Sequence, residues 1–248
     1  MILRAASFDI WLTLLRSNPE FKAARNRMLH HQTAPDVAPE AFAHALRAAD
    51  VQADRLSERT GVDQDLGDRL HAALRLLGKN DTLGADDVAT LRAGQHALAV
   101  ELPPVALGAD LAEHLTALAA HVPLAITSNT GMIPGATMRV VLESAGLLAP
   151  FAVHTFSDEV GAAKPDPRIF GATLDGLRDV VPGLRPCEVV HLGDNPVADV
   201  TGAVDAGMAA MLVDAERPAT AVVAELLTAL AATGTEGDHF VAVAGRQR

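Results

Sequence analysis

The sequence predicts a doubly wound α/β fold, a parallel sheet with helices on both faces, interrupted by an all-helical insertion. Three observations lead there. Five short apolar runs, at residues 3–10, 123–127, 151–156, 188–192 and 209–213, have the length and composition of strands buried on both faces. Between them lie segments with helical spacing, such as Leu111-Leu115-Leu118 and Val222-Leu226-Leu230, so that strand and helix alternate as a parallel sheet requires. The stretch from about residue 16 to 95 breaks this rhythm, because it holds helical segments and no convincing strand.

The elements follow in order. The run at 3–10 is the first strand and ends at Asp9. Ser17-Asn18-Pro19-Glu20 starts a helix, with Asn18 as the cap and Pro19 at the first helical position. Helices are expected at 19–31, 39–60, 63–77 and 85–100, the last started by Asp86 and Asp87, whose charges suit a helix N-terminus. Glu101-Leu102-Pro103-Pro104 ends that helix and returns the chain to the sheet. Strand and helix then alternate to the end, with a loop at 233–238 and a final edge strand at 239–244. The expected division is a core of residues 1–15 and 96–248 and a helical insertion of residues 16–95.

Composition bounds the function. At 248 residues with 49% hydrophobic content, the chain can bury a sizeable core; aromatics are 3% with no Tyr, so Ala, Leu and Val must fill it. A net charge of -11 disfavours nucleic acid, whose phosphate backbone selects basic surfaces. It leaves room for a small anionic substrate at a locally positive site. The single Cys187 allows no internal disulfide and fits a reducing compartment. No uncharged apolar run approaches the roughly 18 residues of a membrane span, and the first residues do not read as a signal peptide. No membrane partner is expected, and the expected location is cytoplasmic.

Four separated pieces carry the chemistry. Asp9 closes Ala5-Ala6-Ser7-Phe8-Asp9, Ser128-Asn129 follows Pro123-Leu124-Ala125-Ile126-Thr127, Lys164 lies in Gly161-Ala162-Ala163-Lys164-Pro165-Asp166-Pro167, and Gly193-Asp194-Asn195-Pro196-Val197-Ala198-Asp199 follows Glu188-Val189-Val190-His191-Leu192. Ligands of open α/β sheets bind beyond the carboxyl ends of the strands, where Asp9, Ser128 and Asp194 all fall. A carboxylate can act as a nucleophile, a hydroxyl and an ammonium can bind an anion, and carboxylates facing one another call for a hard cation such as Mg²⁺.

In this order and at these separations the four pieces resemble the haloacid dehalogenase superfamily, in its branch with a helical cap after the first strand. The resemblance implies a Rossmann-like core and a cap that closes over the site. It implies catalytic roles for Asp9 as nucleophile, Ser128 and Lys164. It implies Mg²⁺ held by Asp9, Asp194 and the main-chain carbonyl of Trp11, with Asp199 in the outer sphere or paired with Lys164. Asn129, Thr13, Lys22 and Arg25 are the expected substrate contacts. One position departs from the pattern: Trp11 stands where phosphatases of the superfamily carry a second Asp that acts as general acid, and Leu12 replaces the usual Gly. The expectation is therefore Mg²⁺-dependent hydrolysis of phosphate monoesters through an aspartyl intermediate on Asp9, atypical because Trp11 replaces the acid, with His30 or His31 of the cap as a substitute. A 2-haloacid dehalogenase and a non-catalytic phosphometabolite-binding protein stand as alternatives.

Overall fold

A computed structural model describes residues 2–79 and 83–233; the expected loop at 233–238, beyond its first residue, and the edge strand at 239–244 lie outside the described residues. The five expected strands form one parallel sheet. They are β1 (Ala5–Phe8), β4 (Leu124–Ser128), β5 (Phe151–Phe156), β6 (Val189–Gly193) and β7 (Ala209–Leu212), in the order β5-β4-β1-β6-β7. β1 is central, with Phe8 beside Ile126 of β4 and Leu192 of β6. The order reverses between β4 and β6, the point where such sheets bind ligands.

Burial follows from the strand sequences. β1, β4 and β6 are buried at every residue, which is why they read as continuous apolar runs. One face packs a cluster that includes Phe8, Ile126, Leu192, Leu115 and Leu118 of α5 (Leu111–Ala119), Met138 of α6 (Gly135–Ser144) and Val222 of α10 (Ala219–Thr233). The other packs Ala5, Ala125 and Val189 against Ile169, Phe170 and Leu177 of α8 (Pro167–Val180). The two faces are thus covered by helices, as a parallel sheet demands.

The insertion holds α1 (Pro19–Thr33), α2 (Pro39–Thr60), α3 (Leu66–Leu76) and α4 (Ala85–Glu101). Asn18 caps α1 by accepting from the Glu20 N–H at 2.9 Å, with Pro19 at its first turn. α2 begins at Pro39, and α4 opens with Asp87 accepting from Gly84 N–H at 2.9 Å. Asp65 and Asp68 form a capping box on α3. These helices have their own apolar cluster of Leu29, Phe42, Leu46, Leu70, Leu74 and Leu91. Ala99, later in α4, packs instead with the sheet cluster, so α4 joins both bodies and spans residue 95.

Two short strands had no counterpart among the elements expected from the sequence. β2 (Leu15–Arg16) pairs antiparallel with β3 (Val105–Ala106) at the neck of the insertion. Two-residue strands are too short to show a periodicity. No helix among the described residues is long and apolar enough to cross a membrane.

The turn after β1 is tight. Thr13, Leu14 and Leu15 direct their N–H groups at the Ile10 carbonyl, and the Leu12 N–H binds the Leu15 carbonyl at 2.8 Å. This places Leu12 at φ +56°, left-handed backbone that a branched side chain adopts only at a cost, with its side chain 61% exposed. Leu12→Gly therefore removes strain without opening the core. The variant is expected to be as stable as the wild type or more stable by up to about 1 kcal/mol, measured by denaturant unfolding. A loss above that figure would show that the Leu12 side chain contributes packing.

Candidate active site

The four motifs meet at the carboxyl ends of β1, β4 and β6. Asp9 follows β1 and is anchored by its N–H on the Leu192 carbonyl at 2.8 Å. Its Oδ1 accepts from Ser128 Oγ at 2.8 Å, at the end of β4, and from Lys164 Nζ at 2.7 Å. Oδ2 takes no part in either bond. Lys164 lies before α8 in a loop held by Asn129: the Lys164 N–H donates to Asn129 Oδ1 at 2.7 Å and Asn129 Nδ2 donates to the Lys164 carbonyl at 3.2 Å. Asn129 thus acts on the loop carrying Lys164.

Lys164 Nζ also donates to Asp199 Oδ1 at 2.5 Å. Asp199 sits in a single wide turn, Pro196–Thr201, with i to i+5 bonding, a local distortion frequent at functional sites. Its carboxylate is filled by donors: Oδ1 also takes His191 Nε2–H at 3.1 Å, and Oδ2 takes the Asn195 N–H at 2.9 Å. Gly193 lets this happen, because a Cβ there would collide with the Asp199 carboxyl carbon.

The charges respond to this packing. Burial and the nearby Asp199 raise the Asp9 carboxyl, against the pull of Lys164 and Ser128. Burial would raise Asp199 as well, but Lys164 and His191 outweigh it and hold it well below the usual carboxylate range. Burial would lower Lys164, yet its two carboxylates keep it above the ordinary lysine value. Asp194, half-buried and without an ion pair among the described residues, is pushed up to about 6 by burial and by the charges of Asp9 and Asp199.

Below the site runs a buried polar chain. His191 Nδ1 lies 3.0 Å from Ser7 Oγ, which lies 2.7 Å from Thr127 Oγ1, itself 2.7 Å from Thr173 Oγ1 in α8. Thr173 donates to the Ile169 carbonyl at 3.1 Å. The sequence reading gave none of these a role; polar residues inside otherwise apolar runs were the available signal.

A cavity of about 400 Å³ opens over the carboxylates, of a size for a small ligand. Asp9, Trp11, Asn129, Lys164, Asp194 and Asp199 line it from the sheet side, and Arg25, Asp50, Ser57, Glu58 and Arg69 from the insertion. Glu58 Oε1 accepts from Asn195 Nδ2 at 2.8 Å and the Gly61 carbonyl from the Ala163 N–H at 2.9 Å, so the insertion is latched to the loops that carry Asp194 and Lys164. The contributions of α2 and α3 were missed in the sequence. The stripe Asp50, Asp54 and Ser57, four and seven residues apart on one helix face, was the signal that could have found them.

Several expected contacts fall elsewhere. Lys22 is exposed on α1 and does not line the cavity. Thr13 is buried outside the lining, its hydroxyl without a hydrogen-bond partner among the described residues. His30 is bound to the Val37 carbonyl at 2.7 Å with its ring against Phe42, part of the insertion's own packing, and His31 is exposed. Neither reaches the cavity, which corrects the expectation of a histidine acid.

Known proteins point the same way. Residues 3–207 match the family model described as haloacid dehalogenase-like hydrolase. Over 103 residues the chain is 40% identical to a phosphoserine phosphatase of Thermus thermophilus, a match covering 42% of this chain and 39% of that protein. The HAD-hydrolase YfnB of Bacillus subtilis, solved with magnesium, superposes with a TM-score of 0.64 at 19% identity over 86% of this chain and 89% of that one. A 2-haloacid dehalogenase of Pseudomonas syringae gives 0.59 at 21% identity over 92% and 99%. At these identities the structures share the fold alone.

The expected function is corrected on these findings. It defined the reaction by Trp11 in place of an acid and kept a dehalogenase and a non-catalytic binder as alternatives. Instead Asp9, Asp194 and Asp199 bring carboxylate oxygens within 4.8 Å of one another, and the sequence match over 42% of this chain is to a phosphatase. The Trp11 side chain packs against the sheet cluster and forms a wall of the cavity. The chemistry belongs to the aspartate cluster.

Lys164 neutralises two buried carboxylates at once. Lys164→Met leaves both without their ammonium counter-charge, though Ser128 still binds Asp9 and His191 and Asn195 still bind Asp199, and breaking such a buried pair costs about 3–5 kcal/mol. A large fall in unfolding free energy together with loss of activity is expected from chemical denaturation and a turnover assay; a variant with wild-type stability would contradict the clamp.

Proposed function

We propose that this chain, which belongs to the haloacid dehalogenase-like hydrolase family, is a Mg²⁺-dependent phosphatase that hydrolyses small phosphate monoesters through Asp9. The observation that carries this reading is the state of Asp9: one oxygen is fixed by Ser128 and Lys164 while the other is available beneath the cavity. The identity to a phosphoserine phosphatase supports it.

The residues divide the work. Asp9 Oδ2 attacks phosphorus, and the bond from phosphorus to the ester oxygen breaks, its electron pair staying on that oxygen, which takes a proton from a water molecule in the cavity to leave as the alcohol. Water then cleaves the aspartyl phosphate and releases phosphate. Ser128 and Lys164 hold Asp9 in line, and the third N–H of Lys164 is the donor left for the phosphoryl oxygens. Asn129 fixes Lys164, and Asp199 with His191 sets the position of its ammonium.

The donor set fits Mg²⁺. Asp9 and Asp194 supply hard carboxylate oxygens, and the Trp11 carbonyl is left out of the backbone hydrogen bonds of its turn. Asp199, filled by three donors, supports from outside. The ion would offset the negative charge of the phosphoryl group. The small cavity and the buried ammonium support a small anionic substrate, and the unpaired, exposed Cys187 supports a cytoplasmic, reducing location.

Asp9→Asn is expected to abolish turnover of p-nitrophenyl phosphate, and chelation should remove activity that Mg²⁺ restores. Chelator-resistant hydrolysis would contradict the metal-dependent reading.

Proton and metal compete for Asp194. Its folded value near 6 lies above the ordinary 3.8, so in the metal-free protein its contribution to stability is present at low pH and lost as pH rises through about 6. Mg²⁺ binds the deprotonated form, so its affinity falls as pH drops through the same range. The rise in melting temperature caused by Mg²⁺ should be larger at about pH 7.5 than at about pH 5, and Asp194→Asn should remove most of it. A pH-independent shift would count against Asp194 as a ligand.

A further inference from the structure

Two arginines line the cavity from the insertion, in opposite situations. Arg69 of α3, 7% exposed, is fully engaged: Nε donates to the Gln64 carbonyl at 2.9 Å, one terminal nitrogen to Asp54 at 2.8 Å and the other to the Asp50 carbonyl at 3.4 Å and its carboxylate at 3.5 Å. Arg25 of α1 is also 7% exposed, yet among the described residues no carboxylate oxygen lies within 4.0 Å of it. Its hydrogen-bond acceptor is Oδ1 of Asn26, 3.3 Å from Nε and 3.0 Å from one terminal nitrogen. A guanidinium has five N–H donors in a planar fork, so three are unpaired among the described residues.

That state is costly for the protein alone, because a buried charge with no carboxylate in direct contact, Asp50 acting on it only from beyond 4.0 Å, loses its hydration and gains little in return. Burial lowers Arg25 from the ordinary arginine value, Asp50 opposes and Arg69 adds to the fall. The same wall holds a second unsatisfied donor. Ser57, 4% exposed and in the lining, has its Oγ buried with no hydrogen-bond partner among the described residues. The wall also carries Asp50, Asp54, Glu58 and Asp63. Each of these is engaged elsewhere, Asp50 and Asp54 by Arg69, Glu58 by Asn195 and Asp63 by Ser157, so Arg25 keeps donors for an incoming anion.

We propose that Arg25 and Ser57 form a carboxylate subsite, and that the substrates are phosphate monoesters of small hydroxy acids. The phosphate end meets Asp9, Ser128 and Lys164, and the carboxylate end takes the guanidinium fork and the Ser57 hydroxyl. This rests on the phosphatase reading above.

The test uses a non-hydrolysable pair that differs only in the carboxylate, 3-phosphonopropionate and propylphosphonate, titrated calorimetrically into the wild-type protein with Mg²⁺. The carboxylated compound should bind at least about tenfold tighter, as a charge-assisted bidentate contact implies. In Arg25→Met the ratio should fall towards one while the melting temperature of the ligand-free protein holds or rises, since a costly charge is gone; a merely structural arginine would lower it. Arg25→Lys should retain part of the preference, and Ser57→Ala should reduce it independently, which covers a failure of Arg25→Met to fold. Equal wild-type affinities, binding of neither compound, or an unchanged ratio in Arg25→Met overturns the subsite. If the ratio holds but wild-type protein hydrolyses no phosphate monoester, the phosphatase reading fails and the subsite stands.

Discussion

The position of one ammonium group organises this molecule. Lys164 Nζ lies between Asp9 after β1 and Asp199 after β6, all three buried. Two carboxylates held this close without a cation would repel, and the loops carrying them would separate. With the lysine present, the carboxyl ends of two central strands and the loop before α8 become one rigid unit. Counting Asp194, three carboxylates face one ammonium, and the formal excess of two negative charges is the charge of a divalent ion. The site's electrostatics and its proposed cofactor are therefore the same fact seen twice.

The rigidity extends downward into the sheet. His191, Ser7, Thr127 and Thr173 join β6, β1, β4 and α8 by hydrogen bonds inside an otherwise apolar interior. A satisfied buried network of this kind fixes register and orientation, since any slip would leave several polar groups unpaired. The imidazole is further held by the edge of Phe170, 5.3 Å between ring centres. Asp199 is thereby positioned from below by His191, from the side by Asn195 and from above by Lys164. The insertion's wall of the cavity is assembled differently, from helix faces, where Arg69 is ion-paired with Asp50 and Asp54 and Arg25 is in no direct ion pair among the described residues.

Much of the sheet was legible in the sequence. Strands buried on both faces read as unbroken apolar runs, and the bounds expected for β5 coincide with those observed. Helix starts marked by Asn18-Pro19 and by Asp87 were legible because capping is local chemistry. Asp9, Ser128 and Lys164, which the structure brings together with Asp199, were conspicuous as polar residues at a strand end or in a stiff loop. Lys22 and Thr13 could not be judged, because which face of a helix or turn meets the cavity depends on how distant segments dock. The same holds for His30, whose partner, the Val37 carbonyl, comes from the connection between two helices. Trp11 drew attention by what it replaced, but its packing shows a wall, and only the converging carboxylates reveal where the chemistry lies.

The neck of the insertion has a further consequence. The chain leaves the sheet through β2 and returns through β3, which are paired by Leu15 with Ala106 and Arg16 with Val105, with Leu107 N–H on the Leu14 carbonyl at 2.9 Å. The two ends of the excursion are thus clasped before any of its helices begins. The entropy of closing such a loop grows only with the logarithm of its length, so what lies beyond the clasp can lengthen, shorten or be exchanged at little expense to the sheet. Selection can then alter the inserted helices while the sheet and the cluster at its carboxyl ends stay intact, and a new cavity wall can arise by replacement of a module rather than by redesign of the core.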